Sequence, residues 1–283
     1  MVAIAFALGS AALWGLSDYL GGLKSRSYPV PVVLAAMYLS SLTAMALFVG
    51  TRGEAPPETS AVVASLGAGV VGIAGLTALY RALAIGTMSI VAPIASTGVC
   101  IPVLVGLAAG DSPGFVRSLG LALAVVGIVL ASREDDAGPV DLSRQRSSIL
   151  LAITAGVGFG SYFVLAKIGS SGDVGWALLL SRVSALPLIG AFAYLALRRA
   201  GRRPRGRAIL ALAGLGLIDL GANVCYNHAT TIGELSSVAV ASSLYPVMTV
   251  TLAALLLGER VRGAQRAGVV VALSGVVLIA AGG

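Results

Sequence analysis

Apolar residues in this chain come in long unbroken runs, not in the one-sided stripes of a soluble helix or the alternation of a half-buried strand. Leu121–Ala131 and Val269–Ala281 contain no charged residue at all. A helix needs about 20 apolar residues to cross the hydrocarbon core of a bilayer. Ten stretches meet that length within a few residues: 2–22, 30–49, 61–84, 89–109, 115–132, 148–169, 174–196, 208–230, 235–257 and 264–282. Barrel strands are shorter and alternate apolar with polar residues. A backbone in lipid must satisfy its own hydrogen bonds, so continuous runs of this kind predict helices. The expected fold is an all-α integral membrane protein of ten transmembrane helices. The first span lacks a basic start and holds Asp18, which argues against a cleaved signal segment.

The pattern is written twice. Tyr80, Gly86, Ser89, Gly110-Asp111, Gly120 and Gly127 in the first half correspond to Tyr226, Gly233, Ser236, Gly258-Glu259, Gly268 and Gly275 in the second, with slips of one residue. Between the copies lies the longest polar stretch, Arg133–Ser147, with Glu134, Asp135, Asp136, Pro139 and Asp141. The expected organisation is a first repeat at 1–132, a linker at 133–147 and a second repeat at 148–283. A unit of five spans enters on one face and leaves on the other, so its copy is inverted and both termini share one side. Inverted repeats are the architecture of many membrane carriers, whose solute sites lie near the midplane between the halves.

Composition agrees with burial in lipid: 57% of residues are hydrophobic and 11% charged, against about 25% charged in soluble domains. Mean hydropathy is +0.96. The net charge of +7 does not indicate a nucleic-acid partner, because the basic residues sit in connectors beside spans, where they orient a membrane protein. With the termini outside, the inside connectors hold fifteen Lys and Arg residues, including the cluster Arg198, Arg199, Arg202, Arg203, Arg205 and Arg207; the outside ones hold Arg52, Arg117 and Lys167. That bias favours external termini and a basic anchor against anionic headgroups. Cys100 and Cys225 both fall in spans and read as packing residues. No Cys/His cluster has metal-ligand spacing, and no cofactor is expected.

Ionisable groups within spans are costly and mark functional sites. Here they are Asp18, Arg182, Asp219 and His228. Trp14, Ser17 and Asp18 share one helix face, and Asp18 reads as the group that binds a substrate ammonium or exchanges protons, or else as a structural partner of Arg182 or Lys24. Asp219 and Asn223, one turn apart, form a polar stripe that faces either a cavity or a neighbouring helix. Arg182 reads as a structural group paired with Asp18 or Asp219, or else as the group that binds a substrate carboxylate. His228 reads as a buried hydrogen-bonded side chain or a proton relay. Pro93, Pro102 and Pro246 interrupt the fourth and ninth spans, and each frees a carbonyl that Ser96, Thr97, Ser242, Ser243 or Tyr245 can satisfy. Breaks at matching places in both halves point to gating or binding, with a plain packing kink as the alternative. Tyr80, Ser161 and Tyr162 complete the expected lining. Asp111 and Glu259 read as caps of the helices that follow them.

Several segments carry a family resemblance. Ile232–Arg266, with Ser-x-x-Pro-Val followed by Leu-Leu-Gly-Glu-Arg, and the Gly-rich helix after it resemble the end of an EamA repeat. Trp14-Gly15 and Phe159-Gly160-Ser161-Tyr162 resemble the Trp-Gly element of the first helix in each repeat. Leu79-Tyr80-Arg81-Ala82-Leu83 resembles the end of the third. The chain therefore resembles the EamA family of the drug/metabolite transporter superfamily over its whole length. It departs at Ala109-Gly110-Asp111-Ser112-Pro113, where the family has Gly-Glu-Arg, and at Met37-Tyr38, where the second repeat has Arg182. The resemblance implies export of amino acids or related metabolites, and cytoplasmic termini, against the charge bias.

The expectation is a secondary carrier of a small-molecule substrate in the cytoplasmic membrane, not an enzyme. No nucleotide-binding motif is present, which leaves a proton gradient or simple facilitated diffusion as the drive. Pseudo-symmetry lets one chain form a complete pathway, so a monomer suffices. The alternatives are a membrane scaffold, which needs no polar cavity, and a lipid-modifying enzyme, which needs clustered acids and histidines that this chain lacks.

Overall fold

The computed structural model describes residues 1–25, 27–85, 94–95, 97–131, 142–200, 204–245, 247–248 and 263–281. These residues form helices α1 (Val2–Ser25), α2 (Val30–Arg52), α3 (Thr59–Ile85), α4 (Cys100–Ala108), α5 (Phe115–Ala131), α6 (Leu142–Ser170), α7 (Val174–Ala200), α8 (Arg207–Ile232), α9 (Leu235–Ser242) and α10 (Gly263–Ala281). No strand occurs among them. Six helices, α1–α3 and α6–α8, are long and apolar enough to cross a bilayer; Thr97–Ala108, Phe115–Leu130 and Arg266–Ile279 are shorter apolar stretches. Each helix falls on one of the ten expected spans. Helix α6 starts at Leu142, inside the stretch read from sequence as linker.

The ends of the helices follow local chemistry. Proline opens α2, where a missing N–H costs nothing, and Gly53 closes it in the left-handed conformation at φ 65°. The fourth span is broken: a 3-10 turn at Thr97–Val99 precedes α4. Pro102 stands in the first turn of α4, so it removes no intrahelical bond there. The Thr97 hydroxyl donates to the Ile94 carbonyl at 2.6 Å. Pro187 lies inside α7.

Helix pairing obeys the duplication. Exchanging the five helices of one half for those of the other turns the α1–α8 contact into α6–α3, α2–α8 into α7–α3, and α1–α9 into α6–α4, and all of these are present. The pairs α2–α7, α4–α9 and α5–α10 map onto themselves. Equivalent helices run antiparallel: Met45 and Val49 of α2 share a cluster with Leu178 of α7, while Val33 and Leu34 share one with Ala185 and Ile189. The repeats are therefore inverted. The face carrying both termini is called the terminal face below, and the opposite one the basic face.

Glycine makes the closest crossings possible. A Cβ on Gly127 would overlap the backbone of Ala272, and one on Gly120 would lie 2.7 Å from the Gly275 carbonyl oxygen. Dispersion between close backbones is what holds helices together in lipid, where no hydrophobic drive acts between them.

Candidate functional site

A cavity of about 110 Å³ lies between the two halves near the middle of the long helices. Both repeats build it. Helix α1 supplies Trp14, Ser17, Asp18 and Ser25; α2 supplies Val33, Leu34 and Tyr38; α3 supplies Gly72, Leu76 and Leu79. The second repeat supplies Phe159, Tyr162 and Phe163 from α6, Arg182 from α7, Asp219 and Asn223 from α8, and Tyr245 just beyond α9.

A continuous polar chain crosses the floor of this cavity. Arg182 donates from Nη2 to Asp219 Oδ2 at 3.0 Å, and its guanidinium lies over the Tyr38 ring, 4.5 Å from the centroid. Asn223 donates from Nδ2 to the Asp219 carbonyl at 2.7 Å and to Asp219 Oδ2 at 3.2 Å. The Tyr162 hydroxyl donates to Asn223 Oδ1. The Arg182 side chain is 2% exposed and that of Asp219 17%. Among the described residues, Arg182 Nε has no hydrogen-bond partner. Of the partners anticipated for Arg182, the structure selects Asp219. Asp18 lines the cavity with no hydrogen bond or ion pair among the described residues.

Toward the terminal face the cavity ends on a cluster of tilted rings. Trp14 lies 5.8 Å from both Phe163 and Tyr226 and 6.3 Å from Tyr245, centroid to centroid. Tyr226 is fully buried and donates to the Phe163 carbonyl at 2.8 Å. Beyond the rings, α9 is buried along its length, and polar contacts join the halves: Arg117 to Glu234 at 2.6 Å, and the Ser236 N–H to Asp111 Oδ2 at 3.0 Å. Asp111 thus caps α9, which has no side-chain cap of its own, and not the helix after it, as expected from sequence. The sequence pattern could not reveal a cap supplied across 125 positions. In the other direction the lining runs to Ser25, the last residue of α1, and to Val33 and Leu79, on the basic face.

Of the residues expected at the site, the structure brings together Trp14, Ser17, Asp18, Tyr162, Asp219, Asn223, Tyr245 and Arg182. Ser161 is not in the lining. Ser242 is fully buried and donates to the Ala7 carbonyl at 3.4 Å, away from the cavity. Pro102 packs in α4. Ser96, Pro93 and Pro246, and the side chain of Tyr80, lie outside the described residues. His228 is neither buried nor in the cavity: it is exposed, edge-on to Phe6 at 4.7 Å. Sequence reading missed Tyr38, Gly72 and the apolar wall. The signal for Tyr38 was present, since it occupies the first-repeat position matching Arg182, and residues related by a two-fold meet when they lie near its axis.

The symmetry is broken at the charged positions. By the offsets of the repeats, Asp18 corresponds to Phe163, Arg182 to Tyr38 and Asp219 to Ile73. Helix packing alone is thus compatible with uncharged residues at each of these places.

The EamA-like transporter family model matches residues 1–133 and 146–281. No curated protein matches the chain. Among solved structures, one crystal structure, described only as that of a protein, superposes with a TM-score of 0.74 at 17% identity, covering 98% of this chain and 95% of that one. That likeness speaks for the fold. The chain belongs to the EamA-like transporter family and is a multi-pass membrane protein of two five-helix repeats.

Proposed function

We propose that this member of the EamA-like transporter family is a secondary carrier that exports small organic metabolites, amino acids and related compounds among them, by alternating access at the cavity between its repeats. The observation that carries the reading is the cavity itself. It sits at mid-depth, is walled by both halves, and holds Asp18, Arg182 and Asp219 where lipid would tolerate none of them. A scaffold has no use for such a hollow, because its polar groups would be fully mutually bonded, whereas Asp18 is not.

The geometry supports rocking of one half against the other. Described residues close the terminal face with rings and two inter-repeat polar contacts, while the cavity extends toward the basic face. The excess of Lys and Arg supports a cytoplasmic basic face, and on that orientation the conformation is one that receives solute from inside. The membrane is the cytoplasmic membrane and one chain forms the pathway. A proton taken up by Asp18 is the proposed drive, since a carboxylate in a cavity can exchange a proton for a solute.

The experiment is solute flux in proteoliposomes, with amino acids and small amines, with and without an imposed proton gradient. The reading expects gradient-dependent movement that Asp18→Asn removes while leaving insertion and folding intact. Flux indifferent to the gradient would leave a uniporter, and absence of flux for every compound would remove the carrier reading.

A further inference from the structure

We propose that the cavity selects solutes bearing a protonated amine, with Asp18 as the group that receives the ammonium, and rejects anions of the same shape. The inference rests on the carrier reading and names its substrate class.

The first argument is charge. The described lining holds one cation, Arg182, and two acids, Asp18 and Asp219. Arg182 is already committed to Asp219 on one side and to the Tyr38 ring on the other. Asp219 is further held by Asn223. That closed group is neutral. The remaining charge is the carboxylate of Asp18, which has no ion-pair partner among the described residues. A carboxylate at mid-depth is stable only with a cation, a proton or water. A solute ammonium supplies the first, and a proton replaces it when the solute leaves.

The second argument is the wall around that carboxylate. Trp14 lies one turn before Asp18 on the same helix face, and Tyr245, also in the lining, stands edge-on to Trp14 with ring centroids 6.3 Å apart. Aromatic faces attract ammonium groups and do not attract carboxylates. Across the cavity, Leu34, Leu76 and Leu79 form an apolar wall, which suits the hydrocarbon body of an amine rather than a sugar or a phosphate. The third argument is position. The second repeat carries Phe163 where the first carries Asp18, so the fold does not need an acid there.

The test uses four probes with one body: phenethylamine, phenylalanine, 3-phenylpropionate and 2-phenylethanol. Binding to purified full-length protein is measured by calorimetry and by ligand-induced shift of the unfolding temperature. The amine and the amino acid should bind saturably, and the propionate and the alcohol should bind at least about tenfold more weakly, the scale of one charge-assisted hydrogen bond. Asp18→Asn should weaken amine binding by a similar factor, and Asp18→Glu should retain it. Equal binding of the propionate or alcohol, unchanged amine binding by Asp18→Asn, or no amine binding by the wild type would each overturn the proposal. The wild-type comparison decides it even if the variants fail to fold. A propionate that binds and is transported would remove amine selection and keep the carrier; amines that bind without moving would do the reverse.

Discussion

Removing one partner of the buried Arg182–Asp219 pair should cost far more than removing both. At 3.0 Å and an effective dielectric of about 20, the attraction is on the order of 5 kcal/mol, offset by the desolvation of both ions. Asp219→Asn leaves Arg182 charged, 2% exposed and without its ionic partner, over the Tyr38 ring; arginine cannot shed its proton. The expected loss of stability is about 3–5 kcal/mol. Arg182→Met should cost less, about 1–2 kcal/mol, because the orphaned carboxylate keeps Asn223 and can bind a proton. The double variant should lie within about 1–2 kcal/mol of wild type, since replacing a whole buried pair is often neutral. Neutral hydrogen bonds between membrane helices average only about 0.6 kcal/mol, so a coupling above about 2 kcal/mol would identify a true ion pair. Reversible unfolding in mixed detergent micelles measures the cycle. If the single effects add up to the double effect, or Arg182→Met is the more damaging change, the pair does not hold the site as described.

Three further outcomes follow from the packing and the cavity. Gly127→Val should destabilise by about 1–3 kcal/mol or more, because its side chain would meet the Ala272 backbone, whereas Gly214→Ala, with open space at its Cβ, should be neutral or stabilising by up to about 1 kcal/mol; the same unfolding assay ranks them. Asp111→Ala should cost about 1 kcal/mol through loss of the α9 cap, and hydrogen exchange should show faster amide exchange at Ser236. Asp18→Asn, having no bonded partner among the described residues, should unfold within about 1 kcal/mol of wild type yet lose gradient-driven flux in proteoliposomes.

Fold and site differed in how far they could be read ahead. Ten apolar runs and the paired landmarks Tyr80/Tyr226, Gly120/Gly268 and Gly127/Gly275 carry the architecture, because span length and repeat phase are one-dimensional properties. The ionisable residues Asp18, Arg182 and Asp219 were legible for the same reason: a charge within a run of 20 apolar residues stands out. Partnership was not. Arg182 had two acidic candidates, and only the crossing of α7 with α8 decides between them. Asp111 turned out to cap a distant helix, because a connector of one half packs against a helix end of the other, and Ser242 to bond the Ala7 carbonyl, because α9 packs against α1. His228 was misread because its position on α8 faces outward, a rotation that an evenly apolar helix does not betray. The apolar wall of Leu34, Leu76 and Leu79 was invisible among so many similar residues.

The central claim, a cavity reached alternately from two faces, is tested most directly by cysteine accessibility. In a protein freed of Cys100 and Cys225, single cysteines replace Ser25, at the basic-face end of the cavity lining, and Ser237, buried beneath the terminal face. Labelling with a membrane-impermeant thiol reagent is followed from each side in oriented vesicles, as solute and proton gradients are reversed. The account predicts reciprocal behaviour: Ser25→Cys reacts when Ser237→Cys is protected, and the reverse gradient exchanges them. Simultaneous labelling at both positions would describe a pore, and rates that no gradient alters would describe a static scaffold; either would contradict the account.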